Sequence, residues 1–243
     1  MKKYLIFRYV AFDTRTISPG PHWTNFFTDD DRPSINNVTT TGEEEIIRWV
    51  LRSPAKGLFL SELRIASSPF TAYSIKKPLI DNPQKKPGDI DLLVCDPLAP
   101  NLATAFQCKR VKVVAEGPDQ DKVNKLEKLG DAVDQANGTR DLGFHRTYLI
   151  VLIGVDGRGR RPIPVHERVA GRGAFRRVYD FPQRGSLHED VGVVFIEISQ
   201  PTGSSIDDTA IVAISVDHEA ACLEQSAKMT ERVKELMLMA GAS

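Results

Sequence analysis

The chain is poor in cysteine, has no excess of either charge and carries no long apolar run; each shortage removes a class of function. Its three cysteines, Cys95, Cys108 and Cys222, form no CxxC pair and leave an odd number. That excludes a disulfide framework and a cysteine-rich zinc site, and it points to a reducing, cytoplasmic setting. Lys plus Arg equals Asp plus Glu at 32 each, so net charge favours no polyanionic partner and a nucleic-acid site must come from local clustering. No segment approaches the roughly 20 apolar residues that cross a membrane. The stretch MKKYLIFRYVAF is broken by Arg8 and followed by no small-residue cleavage site, so it reads as a first strand rather than a signal peptide. His22, His145, His166, His188 and His218 are scattered without the short spacing of paired metal ligands. The run Asp156 to Arg160 lacks the Lys-Ser/Thr ending of a phosphate-binding loop, and there is no GxSxG elbow. An ATPase or serine esterase is therefore unsupported.

What is present suffices for one substantial core: 41% of the residues are hydrophobic, and a single domain over 1–243 is expected. The stretch Lys86 to Val113, KPGDIDLLVCDPLAPNLATAFQCKRVKV, reads as two strands joined by a turn. Asp89 and Asp91 share one face of the first strand, and Gln107 and Lys109 share one face of the second. If the strands pair, an acid, an amide and an ammonium converge at one sheet edge. Charged groups that interrupt apolar strands cost stability unless satisfied, which invites a functional reading.

Around this hairpin, residues 4–12 read as a strand, 14–41 as an irregular connection with a short ordered piece at Trp23 to Phe27, and 67–85 as turn-rich chain. Thr41-Gly42 followed by Glu43, Glu44 and Glu45 signals a helix start, with Ile46, Ile47, Val50 and Leu51 at helical spacing up to Ser53-Pro54. Glu43 and Glu44 both border that apolar stripe, whereas Glu45 points away. Gly57 to Ile65 reads as a strand carrying Glu62. Asp119 to Ala136 has helical character closed by Asn137-Gly138, and Thr147 to Val155 is the apolar run of a strand buried on both faces. Val191 to Ile198 and Ala210 to Val216 read as two more strands. Glu219 to Met239 reads as an amphipathic helix with Leu223, Ala227, Val233, Leu236 and Met237 inward, packed on the sheet or, alternatively, in a homodimer contact. The expected class is α/β, a mixed central sheet flanked by helices.

A helix with an acid, a strand pair carrying Asp91 and then Gln107-Cys108-Lys109, a crossover helix and a buried strand together resemble the PD-(D/E)xK nuclease superfamily. The GDID and FQCKR stretches carry the likeness, and the QxK form is similar to that of Mrr-type restriction endonucleases. The resemblance covers about 42–155 and implies a restriction-endonuclease-like core. The arginine-rich segment 156–184 and the C-terminal strands and helix, 191–239, lie outside it.

Phosphodiester hydrolysis requires a deprotonated water, neutralisation of charge on the non-bridging oxygens and a stabilised leaving oxygen. A hard cation, Mg²⁺ or Mn²⁺, held by one or two carboxylates supplies these effects. Asp91 is the expected metal ligand, Gln107 a neutral oxygen ligand beside it, and Lys109 the group that orients or helps deprotonate water and contacts the scissile phosphate. Cys108 is expected to pack in the core, and the resemblance also points its backbone carbonyl at the metal. Gln in place of Glu weakens metal binding, so a further carboxylate matters more. Glu44 and Glu62 are the two candidates and stay unseparated, with Glu62 expected among the metal ligands; Asp89 either assists or is a turn residue. The bland reading of Asp91 and Lys109 is a cross-strand ion pair, of little worth if exposed.

Arg158, Arg160, Arg161, Arg172, Arg176 and Arg177, interleaved with glycine and aromatics, suit a clamp that follows a phosphate backbone without reading bases; a solvated surface loop is the alternative. The expectation is a metal-dependent nuclease acting on DNA, with no membrane partner. Two other readings stay open. One is a nuclease-like fold that binds nucleic acid or protein without cutting, and the other a structural or inhibitory protein without nucleic-acid contact.

Overall fold

Strand β6 (Arg146–Asp156) is the axis of the fold, with parallel partners on both sides. Its run TYLIVLIGV buries Tyr148, Ile150 and Leu152 toward one face and Leu149, Val151, Ile153 and Val155 toward the other, as expected of a strand covered twice. The computed structural model describes residues 8–13, 41–53, 55–66, 69–75, 89–114, 122–156, 174–200 and 209–241. Within them the other strands are β1 (Arg8–Asp13), β2 (Phe70–Ile75), β3 (Ile90–Asp96), β4 (Ala99–Val114), β5 (Lys122–Asn124), β7 (Val191–Gln200) and β8 (Thr209–His218). They form one mixed sheet in the order β1-β8-β7-β6-β4-β3-β2, with β5 added to β4.

Helices cover both faces, giving the mixed α/β arrangement expected from the sequence. On the first face α1 (Glu43–Arg52) and α2 (Ala55–Glu62) bury Ile46, Ile47, Trp49, Val50, Phe59 and Leu60 against the sheet. On the second, α3 (Leu129–Arg140) and the short α4 (Ala174–Tyr179) pack over β4, β6 and β7. There α5 (Ala227–Met239) sets Met229, Val233 and Met237 on β3 and β4. Among the described residues no helix is long and apolar enough to cross a membrane.

Several expectations are corrected. Of residues 57–65, those up to Glu62 are helix rather than strand: Ala55, Phe59, Leu60 and, in the turn that follows, Leu63 are buried at helical spacing, and the Ser53 hydroxyl accepts the Ala55 N–H at 3.1 Å to start α2. The turn-rich 67–85 contains β2. The helix expected from Asp119 begins at Leu129, after β5 and a 3-10 turn. It continues through Asn137-Gly138 because the Asn137 amide is held elsewhere, donating to the Ser186 carbonyl at 2.9 Å and accepting the His188 N–H at 2.8 Å. The segment expected as an arginine-rich loop contains α4 and a 3-10 turn at Pro182–Ser186. The last helix starts at Ala227, with exposed Ala227 replaced by Met229 on its inward face. The expectations for residues 4–7 and 14–40 lie outside the described residues.

Gly192 on β7 shows how tightly the sheet meets its cover. A Cβ there would lie 2.2 Å from the Tyr148 ring and 2.7 Å from the backbone nitrogen of Ala220, and Tyr148 is itself stacked on Phe106 at 5.6 Å between centroids. Gly192→Ala is expected to destabilise the protein by about 1–3 kcal/mol in urea denaturation, the usual cost of overpacking. An unchanged midpoint would contradict this packing.

Candidate metal centre

The site arises where β3 leaves β4. Along β4 the pairing with β3 ends at Phe106, opposite Leu92, and β5 takes over the same edge only at Lys112. Between them the β3-side edge of β4 has no strand partner among the described residues. Backbone N–H groups that alternate toward this edge, those of Cys108 and Arg110, still need acceptors. Two carboxylates supply them: Asp91 Oδ2 accepts the Cys108 N–H at 2.7 Å and Glu43 Oε1 accepts the Arg110 N–H at 3.1 Å. Amides two residues apart on one edge are about 7 Å apart, so both carboxylates are gathered at one short opening. Lys109 lies between them in sequence, with its ammonium 3.7 Å from Glu43 Oε1.

The three consecutive glutamates at the start of α1 have three different partners. Glu45 turns back to accept the Gly42 N–H at 3.0 Å and caps the helix. Glu44 accepts Arg48 Nε at 2.7 Å and the hydroxyl of Ser74 on β2, while the Arg48 guanidinium lies 3.9 Å over the Tyr73 ring. Glu43 reaches the β4 edge, at Lys109 and Arg110. Glu62 sits at the other end of the strands. The next residue's carbonyl, Leu63, accepts Arg146 Nη1 at 2.9 Å, and Arg146 is level with Thr104, five residues and about 16 Å along β4 from Lys109. The acid beside Asp91 is thus neither Glu44 nor Glu62. The available signal was Arg48, four residues after Glu44 in the favourable order for a helical ion pair. It gives Glu44 a partner of its own and leaves Glu43 as the stripe-bordering acid without one.

Gln107 is placed away from the opening. Its side chain is 1% exposed, and Nε2 donates to the Asp89 carbonyl at 2.7 Å and to Thr139 Oγ1 on α3 at 2.8 Å. Thr139 in turn donates to the Gln135 carbonyl at 3.0 Å, so Gln107 joins the start of β3 to α3. The side chain of Asp89 is exposed. Cys108 is buried among Leu92, Phe106 and Ile150, and burial holds its thiol well above the ordinary range. Of the arginines, 158, 160, 161 and 172 lie outside the described residues, as does the side chain of Arg176. Arg177 is exposed on α4.

Burial raises the Asp91 carboxyl from 3.8 to about 6. The Cys108 N–H opposes this, the Glu43 carboxylate adds to it, Lys109 opposes it and Asp89 adds to it. A half-buried acid facing a second carboxylate has a deficit of positive charge that a divalent cation would fill. Among the described residues no group of three or more His, Cys, Asp or Glu is placed to hold a metal ion. Two carboxylates, with waters and substrate oxygens, nevertheless meet the ordinary demand of Mg²⁺. The carbonyl of Cys108 lies along the same open edge as its N–H.

Two outcomes test this geometry. Because the folded state favours protonated Asp91, its contribution to stability is full below about pH 3.8 and lost as pH rises through about 6. Metal-free Asp91→Asn is therefore expected to exceed the wild type in stability by up to about 3 kcal/mol at high pH, and by nothing at low pH. A urea-denaturation difference independent of pH would contradict this. Gln107→Glu removes a buried donor and adds a buried charge, and is expected to cost at least about 1–3 kcal/mol without tightening Mg²⁺ binding. Tighter Mg²⁺ binding on calorimetry would place residue 107 in the metal shell instead. Comparison with known proteins finds no matching family model, no matching curated protein and no matching solved structure.

Proposed function

We propose that the chain is a metal-dependent nuclease that hydrolyses phosphodiester bonds in DNA, with Asp91 and Glu43 as its metal carboxylates and Lys109 as its general cation. The observation that carries the reading is the convergence of two carboxylates and one ammonium on the open edge of β4. Its architectural support is the order of elements: a helix bearing an acid, a strand pair, a crossover helix and a buried strand parallel to the second of the pair. That is the order on which the resemblance to a restriction-endonuclease-like core rests.

When bound, Mg²⁺ or Mn²⁺ supplies charge neutralisation at the non-bridging oxygens and a more acidic water. Asp91 and Glu43 would hold the cation while keeping their bonds to the Cys108 and Arg110 amides, since each carboxylate has a second oxygen and further lone pairs. Lys109 orients the attacking water and contacts the scissile phosphate. Gln107 acts indirectly, by fixing the β3 backbone at Asp89 two residues before Asp91. The exposed Arg177 and the arginines of 156–176 serve the DNA backbone in this reading.

A non-cutting, nuclease-like binding module is the second reading, favoured by the commitment of Gln107 to packing, which leaves two carboxylates at the opening. Asp91→Ala, Glu43→Gln and Lys109→Ala are each expected to lower Mg²⁺-dependent cleavage of plasmid or oligonucleotide DNA by at least about 10²-fold, while Glu44→Gln and Glu62→Gln retain it. Equal cleavage by the first three variants would overturn the assignment. Mg²⁺-insensitive DNA binding without cleavage by the wild type would select the binding module.

A further inference from the structure

We infer that Arg110 is the positioning residue that presets Glu43, so that the cation affinity of the site is set through a side chain that does not touch the cation. The inference rests on the metal-site reading above. Arg110 holds the start of α1 at two points that straddle its N-cap, Gly42. Its backbone N–H binds the carboxylate of Glu43 at 3.1 Å, and its guanidinium Nη1 donates to the carbonyl of Thr41. One residue of β4 thereby fixes both the backbone before the helix and the carboxylate of its first turn.

The placement is unfavourable on local grounds. A guanidinium at a helix start faces the positive end of the macrodipole, an effect offset here by Glu43, Glu44 and Glu45. Its Nε is also buried with no hydrogen-bond partner among the described residues, a cost that native structures seldom accept without cause. Arg146 carries the same unpartnered Nε, so what singles out Arg110 is its place: one position from Lys109, with its N–H on Glu43 and its guanidinium on the carbonyl just before α1. Arginine suits the task because its planar fork holds its bonds in a fixed direction, whereas a lysine ammonium is a rotatable point charge.

Arg146 provides an internal control. Its Nη1 caps the carbonyl of Leu63 at 2.9 Å and its Nε is likewise buried without a partner, but it lies at the far end of the strands. The test uses the full-length chain and its Arg110→Lys, Arg110→Gln and Arg146→Lys variants, each checked for folding by circular dichroism. Mn²⁺ alone is titrated by calorimetry, and amide hydrogen exchange is measured on the metal-free proteins. Either Arg110 variant is expected to weaken Mn²⁺ binding about 10-fold or more, as loss of an outer-shell partner does. The lysine variant should weaken it less than the glutamine variant, and Arg146→Lys by no more than about twofold by the same reasoning. In exchange, the amide of residue 110 should lose protection in the Arg110 variants while that of Cys108 keeps it. Equal Mn²⁺ affinity in wild type and Arg110 variants, or equal weakening by Arg110→Lys and Arg146→Lys, would overturn the inference. If the wild type binds no Mn²⁺, the metal reading fails. The exchange contrast then decides the positioning claim alone, and unchanged protection at residue 110 refutes it.

Discussion

An unpaired stretch of one strand edge governs the centre of this protein. A buried backbone N–H without an acceptor costs about 1–3 kcal/mol, and β4 presents two of them where β3 has left and β5 has not yet begun. Capping both with carboxylates solves the hydrogen-bond problem and creates an electrostatic one, because the caps are like-charged, partly buried and close. The carboxyl of Asp91 is raised to about 6 chiefly by its burial, with the Glu43 carboxylate adding to the rise. Lys109 relieves part of the conflict through Glu43 at 3.7 Å; a divalent cation would relieve more.

The surrounding fold holds this opening from three sides. On the β4 side, Glu43 and Arg110 fasten the start of α1 to the edge. On the outer side, Glu44 reaches Ser74 of β2, whose φ of 47° marks an irregular edge strand. Beneath, Gln107 joins β3 to α3 through the Asp89 carbonyl and Thr139. A first turn that bridges β4 and β2 across Asp91 explains why three successive glutamates are not interchangeable. Each has a different strand or helix partner, dictated by its 100° step around α1.

Much of this was legible in the residues. The buried run of β6 announced a strand covered on both faces, the hairpin announced β3 and β4, and GDID with FQCKR drew attention to Asp91 and Lys109. Periodicity could not separate helix from strand in the short apolar stretch of α2. Nor could it find β2 within turn-forming chain, since an edge strand is specified by its partner rather than by its own composition. Gln107 read as a ligand because strand alternation gives a face but not the neighbour on that face, and Thr139 is supplied by a helix 32 residues away. Glu43 and Glu44 were equivalent on the helical wheel. Only the pairing of Glu44 with Arg48 distinguishes them.

The most direct measurement is a crystal structure of the full-length chain soaked in Mn²⁺, with the ion located by its anomalous scattering. One ion is expected at the open edge of β4, with oxygens of both Asp91 and Glu43 at about 2.1–2.2 Å and Gln107 still bonded to Thr139. An ion held by Glu44 or Glu62, or coordinated by the Gln107 amide in place of Glu43, would contradict this assignment.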